Sequence, residues 1–494
     1  MDLAHWLGRA VEQHEKWQDG HGPRPGHPAL DVADADLSAA FDALAERLDG
    51  SYPFFHPRYA GQMLKPPHPV AVTGYLAAML VNPNNHALDG GPTSSALEEE
   101  VVEALAAMFG YREHLGHLTS SGTLGNLEAL FVARESHPGR GVAFSAESHY
   151  THARMCHLLG VDAYTVPVDA RGRMDLDALE RLLSTGAVGT VVATMGTTGL
   201  GAVDPLHRIL ERTRPAGVRV HADAAYGGFF TLLAEPEPEP EPGTVPGLEP
   251  GPEPRNAPAP GPALVDPAPW RALPSCDSVV VDPHKHGLQP YGCGAVLFRD
   301  PEVRRFYGHD SPYTYFTSAR PHLGEISLEC SRSGAAAAAL WLTLRLFPLT
   351  RAGLGRVLAP GRRAALRWAG LIGASPRLDL YQPPDLDIVT YYPHGAPPVL
   401  SRVAAASEEI MREGMRGGDD AVFLSTSRVS AGAFTARRPD AVADAEDTRI
   451  LRSVLMKPEA EPYLDRLHAR VEALAAGALG AARAGAAVGE ARRG

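Results

Sequence analysis

Cysteine is scarce in this chain: Cys156, Cys276, Cys293 and Cys330 are the only four in 494 residues, and no two form a CxxC pair. That excludes a CxxC zinc or redox site and fits a reduced, cytoplasmic protein. Long apolar runs are missing as well. No stretch of 18 such residues occurs, so no membrane span is expected. Basic clusters are also absent: 46 Lys and Arg stand against 58 Asp and Glu, a net charge of −12, and nucleic acid is not an expected partner. The start, Met1-Asp2-Leu3-Ala4-His5-Trp6, has no basic stretch leading into an apolar core and is not a secretory signal. What remains is a soluble chain, 44% hydrophobic, long enough for one large and one smaller domain.

One segment differs from its surroundings. Residues 235–262 hold eleven Pro, four Gly and six Glu against one Arg. Such a composition cannot bury enough apolar surface to offset its ordering entropy, so the segment is expected to be a disordered, solvated insertion. Elsewhere, short apolar runs alternate with helical patterns. Leu97, Val101, Val102, Leu105, Met108 and Phe109 describe one buried helix face, and Leu124, Leu127, Leu130 and Phe131 a second. Buried strands are expected at Val142–Phe144, Thr190–Met195, Val218–Ala222, Ser278–Val281 and Ala295–Phe298, with helices over Asp175–Leu183 and Pro205–Glu211. This is an α/β pattern, a mostly parallel sheet flanked by helices with binding residues at the strand ends. From about residue 350 an Ala/Arg/Leu-rich helix precedes strands near Leu386–Tyr391 and Ile450–Leu455, which reads as a smaller α+β domain. The Ala/Gly/Arg stretch 475–494 is expected to fray.

Four separated features carry chemistry. In Asp282-Pro283-His284-Lys285-His286-Gly287 a strand runs into a turn with a lysine at its tip, placed to form an imine with an aldehyde. In His221-Ala222-Asp223-Ala224-Ala225-Tyr226 an aspartate ends another apolar strand, where a carboxylate can keep a pyridine nitrogen protonated. Thr119-Ser120-Ser121-Gly122-Thr123 is a small-residue turn opening a helix, suited to a phosphate. His149 follows a strand and can lie on an aromatic ring. Taken alone, each has a plain structural reading: a surface lysine, a satisfied aspartate, an N-cap, a core histidine. Together they follow the chain order of a pyridoxal-phosphate enzyme.

On these motifs, with His56-Pro57-Arg58-Tyr59, Pro92 to Glu98 and Tyr291 to Leu297, the chain resembles the group II pyridoxal-phosphate-dependent amino-acid decarboxylases. The resemblance implies a transferase-like α/β fold in three parts: an N-terminal helical dimerisation segment (1–90), a large cofactor-binding domain (91–350) and a small C-terminal domain (351–494). It implies a homodimer, pyridoxal 5'-phosphate as cofactor and no metal. Lys285 matches the Schiff-base lysine, Asp223 the partner of the ring nitrogen and His149 the stacking residue, with Ala225 on the opposite face. Ser121, Gly122 and Thr123 match the phosphate turn, Ser278 and His284 further phosphate or imine contacts, and Thr198 a threonine near the cofactor. Arg332 matches an arginine near the active site, with a structural ion pair as its other reading. Lys285, His149, Asp223 and His284 are thus the expected catalytic residues.

Two departures bear on the substrate. Aromatic amino-acid decarboxylases commonly follow the lysine with Trp, where this chain has His286, which leans towards a small polar or acidic amino acid. Their mobile loop with a catalytic tyrosine has no clear counterpart; Tyr313 and Tyr315 are the candidates in its place, for reprotonating the substrate or for packing. The implied activity is decarboxylation of an L-amino acid to its amine and CO2. Aminotransfer and carbon–carbon lysis use the same apparatus and remain the alternatives. A non-catalytic scaffold would need none of Lys285, Asp223 and His149 together.

Overall fold

The computed structural model describes residues 1–234, 263–307 and 323–491, with side chains as far as residue 480. The Pro/Glu-rich insertion, Tyr313 and Tyr315 therefore lie outside the described residues.

A seven-stranded sheet organises the larger part of the chain. Its strands are β1 (Leu115–Thr119), β2 (Gly141–Ser145), β3 (Ala163–Val166), β4 (Val188–Thr194), β5 (Arg219–Asp223), β6 (Ser278–Val281) and β7 (Gly294–Phe298), in the order β1-β7-β6-β5-β4-β2-β3. Every residue of β2, β4, β6 and β7 is buried, as expected where helices cover both faces. The pairs β2–β3, β2–β4, β4–β5 and β5–β6 are parallel. Strand β7 runs antiparallel to both β6 and β1. The link from Asp282 to Cys293 contains no helix, and without a crossover helix the chain turns back antiparallel. Because β7 reverses and β1 reverses again, β1 ends at the same sheet edge as β4, β5 and β6.

The helix patterns are met with small shifts. Helix Pro92–Met108 buries Val101, Val102, Leu105 and Ala106, and Phe109 closes its end in the same core. Helix Gly122–Ser136 starts directly at the small-residue turn. Strand β3, with only Val166 of its four residues buried, carries too weak an alternation to be read from sequence.

A second sheet is antiparallel, in the order β10-β11-β9-β8, from β8 (Leu378–Gln382), β9 (Ile388–Pro393), β10 (Ser425–Ser430) and β11 (Asp447–Val454). Leu386, Ile388, Val454 and Met456 join the core of the large sheet, so the two sheets share one apolar body. A single helix spans Ala460–Ala491, over most of the stretch expected to fray, and residues 492–494 lie outside the described residues. Alanine is the strongest helix former, and its frequency there outweighs the scattered glycines. No helix among the described residues is long and apolar enough to cross a membrane.

Candidate functional site

Strands β1, β2, β4, β5 and β6 deliver their following loops to one sheet edge, and four of the sequence motifs sit there. Lys285 stands four residues beyond β6. Its Nζ lies 2.9 Å from Asp282 Oδ2, within the same turn. Burial works against the ammonium, but Asp282, and behind it Asp223, more than compensate and hold Lys285 above the ordinary lysine value. His284 donates through Nδ1 to the Cys293 carbonyl at 2.8 Å, which leaves Nε2 as its exchangeable nitrogen, 3.6 Å from Asp282 Oδ2. Burial keeps His284 below its usual pKa and therefore neutral. Its ring stacks at a tilt on Tyr291, centroids 4.7 Å apart.

Asp223 ends the neighbouring strand β5. Its Oδ2 accepts from His152 Nε2 at 2.8 Å and its Oδ1 from the Ala225 amide at 3.2 Å. Burial opposes the charge, but the His152 hydrogen bond and the positive groups nearby hold Asp223 below the usual carboxylate range. It is an anion throughout the neutral range. His149, just past β2, is half-buried, with Nδ1 2.8 Å from Thr151 Oγ1. Burial lowers its pKa, so the ring is neutral and able to stack.

Ser121 caps helix Gly122–Ser136, its Oγ accepting from the Leu124 amide. The first turn of a helix has backbone N–H groups without intrahelical acceptors and a positive dipole end, and these receive an anion. At Gly122 a Cβ would come within 2.8 Å of both Asp282 carboxylate oxygens and 3.0 Å of Ala225 Cβ, so only glycine lets the helix start approach this corner. Asp282 Oδ1 is buried without a hydrogen-bond partner among the described residues. An amine, a paired anionic carboxylate, a neutral ring-stacking imidazole and a helix N-terminus opening on one corner match the donor set that pyridoxal phosphate requires. The residues present fit that group.

Two expected residues meet protein partners. Ser278 begins β6, away from the strand ends, and its Oγ lies 2.9 Å from the buried His221 Nδ1. Arg332 is held by Glu98 at 2.9 Å and by the Leu118 carbonyl, with His117 at 3.2 Å. This ion pair locks the end of β1 to helix Pro92–Met108, while Arg332 Nε and Nη2 stay buried without a partner among the described residues. Thr198 does follow β4 at the site edge, and its carbonyl accepts from Arg452 Nε at 3.0 Å.

Three residues enter the site that the motifs did not single out. Asp282 lay inside the quoted DPHK segment, and its position three before the lysine was the available signal. His152, three after His149, sits in the first turn of helix Thr151–Leu159, and a second histidine so close to the first was the only signal. Arg452 comes from β11, far along the chain, and no local pattern announces it. It donates to the carbonyls of Thr198 and Gly61, and its Nη2 is buried without a partner among the described residues.

Comparison with known proteins gives a consistent result. Residues 55–238 match the model of the pyridoxal-dependent decarboxylase conserved domain. An L-tyrosine decarboxylase of Enterococcus faecium is 27% identical over 449 residues, covering 73% of this chain and 73% of that relative. A probable L-tyrosine/L-aspartate decarboxylase of Methanoculleus marisnigri is 31% identical over 280 residues, 56% of this chain and 66% of that protein. The solved structure of Oryza sativa TDC with PLP and tryptamine superposes with a TM-score of 0.73 at 17% identity, covering 96% of this chain and 98% of the other. At that identity the likeness establishes the fold.

Proposed function

We propose that this chain, which belongs to the pyridoxal-dependent decarboxylase family and releases CO2 from an amino acid with pyridoxal phosphate as cofactor, acts on L-tyrosine and holds its cofactor through Lys285. The observation that carries the reading is the meeting of Lys285, Asp282 and Asp223 at the ends of adjacent strands, facing a glycine-lined helix start. When bound, pyridoxal phosphate supplies an electron sink for the pair left behind as CO2 departs.

The chain's own residues then divide the remaining work. Lys285 Nζ is the amine that would hold the cofactor covalently and would give way to the substrate amine. Ser121, Gly122 and Thr123 would hold its phosphate at the helix N-terminus. Asp223 would keep the ring nitrogen protonated, and His149 and Ala225 would hold the ring. Asp282 balances the lysine charge. The substrate carbon would need a proton once CO2 has left; Lys285 Nζ would donate it, and His284, whose free Nε2 can take up a proton, would serve as a relay.

L-tyrosine as substrate rests on the bacterial relative above. L-aspartate is the second reading, favoured by the unpartnered buried nitrogen of Arg452, which would suit a second carboxylate. A panel of L-amino acids scored for CO2 and amine in equal amounts tests both. Keto acid as the main product would overturn decarboxylation, and turnover of neither tyrosine nor aspartate would overturn the substrate.

The division at 1–90, 91–350 and 351–494 and a homodimer belong to the same reading. Helix Asp34–Leu48 has no buried residue, although Leu37, Phe41, Leu44 and Leu48 line it. A 15-residue helix is marginal in water by itself, and an apolar stripe of this kind calls for a covering surface. A second copy supplies it. Sedimentation at micromolar concentration should give a dimer; an active monomer would refute this. Four unpaired thiols support a reducing, cytoplasmic setting.

A further inference from the structure

His152 is completely buried at the start of helix Thr151–Leu159, with Nε2 2.8 Å from Asp223 Oδ2. Its other ring nitrogen, Nδ1, is also buried and has no hydrogen-bond partner among the described residues. Phe144 lies beside the ring, centroids 5.9 Å apart. An ionised carboxylate only accepts, so Nε2 carries the hydrogen. A second proton on Nδ1 would be a buried donor with no acceptor, which is unfavourable. The geometry therefore places a hydrogen on Nε2, given to Asp223.

We propose that His152 is a positioning residue which, as a hydrogen-bond donor, fixes Asp223 as an ionised carboxylate so that the shared proton resides on the cofactor's ring nitrogen. This rests on Asp223 being the ring nitrogen's partner. The physical argument concerns what a buried aspartate does without a donor. Desolvation disfavours its anion, so it would take up the proton itself and leave the ring nitrogen uncharged, weakening the electron sink.

The other titratable groups around the pair leave this role to His152. His221, two residues before Asp223, donates through Nε2 to Asn126 Oδ1 and accepts at Nδ1 from the Ser278 hydroxyl, and burial pushes its pKa down to about 3. Burial likewise keeps His149 neutral, and the Lys285 ammonium is engaged by Asp282. His152 is thus the side chain that hydrogen-bonds the Asp223 carboxylate.

The test uses the holoenzyme in four forms: wild type, His152→Phe, His152→Gln and Asp223→Asn. Phenylalanine keeps the ring volume and removes the donor; glutamine restores a neutral donor at similar reach. Each is loaded with pyridoxal phosphate labelled with 15N in the ring, and kcat, KM and the ring-nitrogen chemical shift are recorded against pH. His152→Phe should lose kcat by about ten- to a hundred-fold, in the range of lost supporting hydrogen bonds elsewhere, with KM little changed. Its ring nitrogen should deprotonate at lower pH than in wild type, and His152→Gln should recover most of both. Wild-type kcat and shift in His152→Phe, with Asp223→Asn impaired, would overturn the role of His152 alone. Equal impairment of the Phe and Gln variants would also overturn it, since shape and not the donor would then matter. Full activity of Asp223→Asn would overturn the underlying assignment of Asp223.

Discussion

Two buried aspartates end neighbouring strands of the same sheet, and their surroundings are opposite. Asp223, at the end of β5, has both oxygens occupied, by His152 and by a backbone amide. Asp282, just past β6, faces Lys285 with one oxygen and has the other bare. The first is held by two hydrogen bonds and by positive groups nearby, so it stays an anion. The second balances a cation that must lose its proton before it can react. A carboxylate meant to stay charged is over-coordinated; one meant to release its partner is left under-coordinated.

The sharpest test of that contrast removes the lysine. Lys285→Ala should abolish turnover, although the phosphate turn can still retain cofactor. Borohydride reduction of the wild type followed by peptide mapping should place the label on Lys285, and a label on another lysine would end the assignment. Next comes the fixed aspartate. Asp223→Ala should lower kcat by about 10^2- to 10^3-fold with a much smaller change in KM, because it acts on charge developed in the transition state. An unchanged kcat would remove Asp223 from the mechanism.

Asp282→Asn tests the other side of the comparison. Lys285 is held above its ordinary pKa in the folded protein, so its neutral, reactive fraction is small at pH 7 and rises with pH. Reconstitution of cofactor-free protein should therefore speed up steadily with pH. With Asp282 neutralised, the largest favourable charge on the lysine is lost and only the more distant Asp223 and Tyr291 still oppose burial, so its pKa falls; each unit of fall raises the reactive fraction at pH 7 by about tenfold. The rate at which the visible band appears would report this, and an identical pH profile in the variant would show that Asp282 does not control the lysine.

His149→Ala should be milder, about tenfold in kcat, because ring stacking is worth about 1 kcal/mol and supplies no charge. A loss as large as that of Asp223→Ala would give His149 a different role. The smallest effect is expected from deleting residues 235–262. The Leu264 amide donates to the Leu233 carbonyl at 3.1 Å, so the two flanks already meet and can be joined by a short turn. Fold and turnover should remain nearly intact, and a collapse in soluble yield would identify the segment as integral.

Local chemistry made much of this protein legible. Lys285, Asp223 and the Ser121 turn each sit where a strand or helix ends, and that boundary is written in adjacent residues: apolar run, then small or charged tip. The buried strands β2, β4 and β6 were readable for the same reason, since burial on both faces demands continuous apolar runs. Ser278 and Arg332 show the limit. Both were placed by resemblance, yet whether a serine on a strand meets a cofactor or a buried histidine depends on its depth along that strand. For Arg332, the deciding neighbour is Glu98, more than two hundred residues away.

The sequence by itself therefore determined the strand ends, the order of the reactive groups and the cofactor they suit, because all three depend on residues close together in the chain. Only the tertiary structure decided the partners: His152 on Asp223, Glu98 on Arg332, Arg452 at the Thr198 carbonyl, and the reversal of β7 that brings β1 to the same edge. Those choices are made by packing and by the need to satisfy buried charge, and both act through space between elements that the linear chain keeps apart.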